Sequence, residues 1–218
     1  MQAFIISLSK IQSSIETAQA MIEPLTSYGF DVKLFEGSYG DEMPALFKKQ
    51  GRTFHPTDHE EKPAKPTRKT SGHGAMGCFY SHYRLWKLCK KLKQPIWIFE
   101  DDIEFIRPYH PVQFEDILIT VPGSWTQIYR ADPYAEPTIE PTALEYTAPC
   151  VPGTPGYAIT PQGAKKLLNH FNKTFTCSDG AIRSSVVDIK IHSHLMGRPL
   201  VEKDGKQSLT KNFKRDSK

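Results

Sequence analysis

Apolar residues open the chain as a run, Ala3-Phe4-Ile5-Ile6 and then Leu8, which predicts a buried strand. The spacing then turns helical. Ile15, Ala18, Met21, Ile22 and Leu25 share one face, and Ser9 or Ser13 stands where a cap belongs. Tyr28-Gly29-Phe30 stops this helix, and Asp31-Val32-Lys33-Leu34-Phe35 alternates as a second strand. A β-α-β opening predicts an α/β fold, a parallel sheet with crossover helices.

Between Gly51 and Gly74 large apolar groups almost vanish, and Pro56, Pro63, Pro66, three histidines and many charges replace them. The pattern predicts a long surface loop at 51–74, and such loops in compact domains are functional or disordered. It is expected to lie at the ligand cleft as a closing lid. Periodicity returns after Gly74 and Gly77 as a helix from about Cys78 to Lys93. Phe79, Tyr83, Leu85, Trp86, Leu88, Cys89 and Leu92 form its apolar face, with Lys87, Lys90, Lys91 and Lys93 on the wet face. Gln94-Pro95 ends it. Ile96-Trp97-Ile98-Phe99 is an unbroken apolar run, the signature of a central strand covered on both faces, and it leads directly into Glu100-Asp101-Asp102.

The second half is rich in proline. Strands are expected at Ser124–Tyr129 and Gly156–Thr160, the latter followed by a helix that Pro161 opens and that carries Ala164, Leu167 and Leu168. Val186-Val187 precedes Asp188, and the chain turns polar after Lys203. The organisation predicted is one domain over residues 1–200 and a polar, basic tail over 201–218.

Composition adds little to this picture. Of the 218 residues 39% are hydrophobic and 24% charged, an ordinary globular balance. The formal charge of +4 gathers in three clusters, around Lys62–Lys69, Lys87–Lys93 and Lys203–Lys218. Each is either a solvated face or a place for an anionic partner such as a nucleotide diphosphate, lipopolysaccharide or nucleic acid. The four cysteines include no C-x-x-C pair, and the short apolar start has no basic region before it. Reduced thiols and a cytoplasmic setting are therefore expected, without a signal peptide or a membrane-spanning helix. Asn172-Lys173-Thr174 matches the glycosylation acceptor pattern, which in that setting is a chance match.

Glu100-Asp101-Asp102 changes the picture most. In open α/β sheets ligands bind beyond the carboxyl ends of the strands. Three carboxylates there repel one another unless a cation or donors compensate them. A divalent cation bridging to a diphosphate is one answer, since Mg²⁺ and Mn²⁺ take one or two protein carboxylates plus substrate phosphates. Capping of a turn or helix by Asp101 or Asp102 is the other.

Gly77-Cys78-Phe79-Tyr80-Ser81-His82-Tyr83-Arg84-Leu85-Trp86, followed at a dozen residues by Ile98-Phe99-Glu100-Asp101-Asp102, resembles the signature of glycosyltransferase family 25. Phe4-Ile5-Ile6-Ser7-Leu8 resembles that family's opening strand. Gly153-Thr154-Pro155-Gly156-Tyr157-Ala158-Ile159-Thr160, with Gly163-Ala164 and Leu167-Leu168, resembles its G-T-x-G-Y segment, and Val187-Asp188 its later P-[VI]-D element. The matches run in order from residue 4 to about 190. Two departures stand out: Ser9-Lys10-Ile11-Gln12-Ser13 replaces an Arg-rich stretch, and Val186 replaces a proline.

The resemblance implies a Rossmann-like GT-A domain with a central, mostly parallel sheet flanked by helices. It implies transfer of a hexose from a nucleotide sugar, UDP-linked, to an acceptor hydroxyl with inversion, dependent on Mn²⁺ or Mg²⁺. By the same resemblance Asp102 is the main metal ligand, and Asp101 serves the donor ribose or the metal. Glu100, Ser7, Leu8, Gly77, Ser81 and His82 lie on the donor side. Inversion needs a base for the acceptor hydroxyl, and Asp188 is the candidate, its alternative being the N-cap of a helix from Ile189. His194 offers a late metal ligand, its alternative being a solvent-facing pair with His192. A nucleophilic role for Ser81 and His82 is rejected, because both lie in mid-helix with no third orienting group. The acceptor expected is a saccharide or a lipid-linked saccharide reached by peripheral membrane contact. A modified base of DNA is the second expectation, and a non-catalytic binding module the third.

Overall fold

The computed structural model describes residues 1–55, 72–123, 140–151, 153 and 155–200. Strand β1 (Gln2–Ser7) leads into helices α1 (Gln12–Ala20) and α2 (Ile22–Ser27), then strand β2 (Asp31–Glu36). The single amphipathic helix expected here is two. Pro24 has no N–H to donate four residues back, and the chain re-starts at Met21. Neither Ser9 nor Ser13 caps it; Ile11 holds the N-cap position, without a side-chain bond.

Helix α3 (Met43–Lys49) and a two-residue strand β3 (Thr53–Phe54) follow. Helix α4 spans Gly72–Leu92, beginning six residues before the expected Cys78. The loop expected at 51–74 thus contains a strand at one end and a helix start at the other. Its remainder, 56–71, lies outside the described residues, as do the strand expected at 124–129 and the tail at 201–218. Gly77 sits inside α4 because a Cβ there would lie 2.4 Å from the Ser38 carbonyl oxygen, so only glycine lets the helix cross the Ser38–Gly40 turn.

Strands β4 (Ile96–Phe99), β5 (Ile103–Phe105), β6 (Ile117–Val121), β7 (Ala143–Glu145) and β8 (Gly156–Ile159) come next. Helix α5 (Pro161–His170) is capped by the Thr160 hydroxyl, which accepts from the Gly163 N–H. Strand β9 (Thr174–Phe175), helix α6 (Ser178–Ala181), and strands β10 (Ile189–His192) and β11 (Gly197–Pro199) complete the described chain. Among the described residues no helix is long and apolar enough to cross a membrane.

The central sheet has the order β2-β1-β4-β8-β6-β10-β7. β2, β1, β4, β6 and β10 point one way; β8 and β7 oppose them. This is the mostly parallel α/β sheet expected. β4 shows why it is covered twice. Its side chains alternate, so Ile96 and Ile98 join the core that includes Phe79, Leu85 and Trp86 of α4. Trp97 and Phe99 join the core that includes Ala18 of α1 and Leu25 of α2. Antiparallel β8 wedges between β4 and β6, which demands Gly156. A Cβ there would lie 2.7 Å from Val121 Cγ2 and 2.8 Å from Phe99 Cδ1.

Candidate active site

The carboxyl ends of β1 and β4 lie side by side, because the two strands pair in parallel with Ile5 opposite Phe99. Glu100, Asp101 and Asp102 emerge there, between β4 and β5. The Glu100 N–H donates to the Pro155 carbonyl (2.7 Å), and the Asp102 carbonyl accepts from the Leu200 N–H (2.6 Å).

Two residue sets hold the acids. Ser14 of α1, nearly inaccessible to solvent, accepts from the Leu8 N–H (2.8 Å) and donates to Asp101 Oδ2. A line of bonds therefore runs from the turn after β1 to the second acid. Ser7, also buried, accepts from the Gly37 N–H through its carbonyl (2.7 Å).

The other set ties Glu100 to the core. His82 Nε2 is 3.3 Å from Glu100 Oε1, and His82 Nδ1 is 2.9 Å from the Tyr157 hydroxyl. The Trp86 indole N–H donates to that same hydroxyl (2.9 Å). Burial holds the Tyr157 phenol well above its usual range, so it keeps its proton. Every group is satisfied if Trp86 donates to Tyr157, Tyr157 to Nδ1, and the Nε2 proton to Glu100. This gives the S-H-x-x-x-W pattern a physical reason. His82 and Trp86 are four residues apart, share a helix face, and meet the tyrosine of the G-Y element on β8. Ser81 faces elsewhere: it donates to the Gly77 carbonyl and accepts from the Ser38 N–H (each 2.8 Å), locking α4 to the turn beneath it. Gly77 serves the same crossing.

Burial, and after it the neighbouring Glu100, raises the Asp101 carboxyl to about 6; the Ser14 bond partly offsets this. Burial first, then Glu100 and Asp101, raises Asp102 to about 7. Asp102 Oδ1 is buried without a hydrogen-bond partner. A buried orphan oxygen amid crowded carboxylates is what a divalent cation would relieve, so Asp101 and Asp102 fit the oxygen chemistry of Mn²⁺ or Mg²⁺.

The structure does not bring His194 into that set. It follows β10, three strands along from β4. Its N–H donates to His192 Nδ1 (3.0 Å), and both imidazoles are buried rather than solvent-facing. Among the described residues the only His, Cys, Asp and Glu ligand atoms grouped in threes within 4.8 Å are those of Cys78, His82 and Glu100.

Asp188 requires a larger correction. Ile189 pairs with Ile117, Ile117 with Ile159, and Ile159 with Ile96, so Asp188 lies level with the start of β4. Glu100 follows its end. The separation along the strands is roughly 16 Å, at about 3.3 Å per residue. Asp188 precedes a strand, so it is not a helix cap either. Its N–H donates to Asp116 Oδ2 (2.8 Å), and its carboxylate faces Lys190 (3.6 Å). It cannot serve as base to an acceptor held at the acids.

Ser14 and Tyr157 are the site residues that sequence reasoning missed. Tyr157 was visible as part of the G-Y element, but its partners belong to α4. Ser14 carried no signal of its own.

Residues 1–116 match the profile of glycosyltransferase family 25, described as an LPS biosynthesis protein family. A "Glycosyltransferase 25 family member" of Anopheles gambiae is 35% identical over 102 residues, 44% of this chain and 17% of that protein. A protein of the same description from Aedes aegypti is 29% identical over 161 residues, 70% of this chain and 26% of that protein. The chain thus spans about a quarter or less of the length of these relatives. The profile covers more than half of the chain, from β1 past the three acids to Asp116, and on that match the chain belongs to glycosyltransferase family 25.

Proposed function

We propose that this chain transfers a hexose from a UDP-linked sugar to an acceptor hydroxyl on a saccharide, with inversion, at the carboxyl edge of its central sheet. The observation that carries this reading is the buried, unpartnered Oδ1 of Asp102 beside two further carboxylates. Asp101 and Asp102 would hold Mn²⁺ or Mg²⁺, which when bound supplies charge stabilisation for the departing diphosphate. The chain's own residues do the positioning. Ser14 orients Asp101 and links it to the turn after β1, where Leu8 is anchored. His82 and Tyr157 hold Glu100 at the rim. Asp188 takes no part. The basic stretches that would suit a nucleic-acid acceptor, around residues 62–69 and 203–218, lie outside the described residues.

A thermal-shift panel of nucleotide sugars tests the reading. A UDP-hexose with Mn²⁺ is expected to stabilise the chain by about 3 kcal/mol at a hundredfold excess over Kd, and neither alone is expected to match the pair. If no nucleotide sugar stabilised the chain with Mn²⁺ present, the transfer reading would fall in favour of a non-catalytic binding module.

A further inference from the structure

Cys78, His82 and Glu100 form a constellation that the sugar-transfer reading does not use as a unit. Cys78 and His82 are four residues apart on α4 and so project from one face. Glu100 meets them from the end of β4. One ligand atom from each lies within 4.8 Å of the others. Cys78 Sγ is 3.5 Å from Glu100 Oε1, and His82 Nε2 is 3.3 Å from the same oxygen.

Those separations can be compared with coordination geometry. Bonds of about 2.3 Å to sulfur and about 2.0–2.1 Å to nitrogen and oxygen, at tetrahedral angles, give sulfur–oxygen edges of about 3.6 Å and nitrogen–oxygen edges of about 3.3 Å. Two of the three edges already stand at ligand spacing, and the third, sulfur to nitrogen, lies within 4.8 Å. A ligating imidazole also needs a partner on its other nitrogen, and Tyr157, itself held by Trp86, stands at His82 Nδ1. The Ser178 hydroxyl, 3.3 Å from Cys78 Sγ, can donate to a thiolate. One thiolate and one carboxylate neutralise a divalent charge, so no net charge is left in a largely buried place. A thiolate with an imidazole selects a softer ion than Mn²⁺ or Mg²⁺. Glu100, with its side chain 29% exposed, leaves an approach from solvent.

We propose that Cys78, His82 and Glu100 bind a thiophilic divalent cation of the zinc class, with one coordination position left open. Binding releases the Cys78 thiol proton to solvent; the imidazole moves its single proton from Nε2 to Nδ1, which then donates to the Tyr157 oxygen. The site is distinct from the Asp101–Asp102 position and does not depend on sugar transfer.

Cobalt(II) is the probe, titrated into the metal-free full chain without oxygen. The expected spectrum has a thiolate-to-cobalt charge-transfer band and the visible bands of a four-coordinate ion, both removed by Zn²⁺. Cys78→Ser should abolish the charge-transfer band. Tyr157→Phe should keep the band and weaken affinity about 10–100-fold. Asp102→Asn should change neither. In the unsubstituted chain, Zn²⁺ should slow alkylation of Cys78, read by peptide mass spectrometry, and this needs no variant to fold. Absence of the band, its survival in Cys78→Ser, or unchanged alkylation of Cys78 under saturating Zn²⁺ overturns the proposal. A chain that binds Mn²⁺ with a nucleotide sugar yet shows no cobalt band loses only this site.

Discussion

Acids with a buried carboxylate oxygen occur at both edges of the central sheet. At the amino edge Asp116 is inaccessible to solvent, and its Oδ2 meets Lys166 Nζ at 2.5 Å and the Asp188 N–H at 2.8 Å. Asp188 in turn faces Lys190. At the carboxyl edge Asp102 is half-buried with its Oδ1 inaccessible, but its neighbours are Glu100 and Asp101, and no described lysine or arginine pairs with any of the three. Both edges retain buried carboxylate oxygens without hydrogen bonds, among them Oδ1 of Asp102, Asp116 and Asp188. The difference is the cation. The amino edge carries its own, covalently, as lysine; among the described residues the carboxyl edge has none, and its acids hold their protons to higher pH instead. A buried acid whose counter-charge is part of the chain serves the fold, and one without it is available to a ligand.

Asp102→Asn tests the carboxyl edge most severely. It should weaken Mn²⁺-dependent nucleotide binding by about a hundredfold or more, the several kcal/mol that a metal–phosphate bridge supplies, while the fold survives. Unchanged affinity in calorimetry would remove the cation from this edge.

Asp116→Ala is the matching test at the amino edge. It leaves the Asp188 N–H without its acceptor, while the part-exposed Lys166 can turn to solvent, and should cost about 1–3 kcal/mol of stability in denaturant titration. Nucleotide affinity of the folded variant should not change. A folded variant that no longer bound nucleotide would mean that the two edges are not independent.

Acidity sharpens the contrast. The Asp101 and Asp102 carboxyls rise from 3.8 to about 6 and about 7, so the folded chain keeps protons that the unfolded chain has already released. Stability of the ion-free chain from these groups therefore falls as pH rises from about 4 to about 7, and is level above that. A cation needs them ionised, so stabilisation by Mn²⁺ should be weak at pH 5 and grow towards pH 8. Melting curves with and without Mn²⁺ across that range decide it; a Mn²⁺ effect independent of pH would place the ion elsewhere.

Asp188→Asn should do least. Its partly exposed pair with Lys190 is worth at most about 1 kcal/mol, and both nucleotide affinity and turnover should stay near those of the parent. Lost turnover with intact affinity would return Asp188 to the chemistry and break the comparison outright.

Much of this was legible without coordinates. Hydrophobic periodicity alone determined β1, β2, β4, α4 and α5 and the α/β class, because burial on one or both faces imposes its period locally. It also placed three acids at a strand end, since the carboxylates follow directly on the apolar run of β4. Only the tertiary structure decided which acids share an edge. Val186-Val187-Asp188 reads alike whether a helix or a strand follows, and strand order, which is non-local, carries Asp188 to the far side of the sheet. Ser14 escaped notice for a related reason: its partners, Leu8 and Asp101, lie six and 87 residues away. The convergence of Trp86, His82, Tyr157 and Glu100 likewise depends on β8 entering the sheet between β4 and β6. Local pattern reports whether a residue is buried; the pairing of distant strands determines what it is buried against.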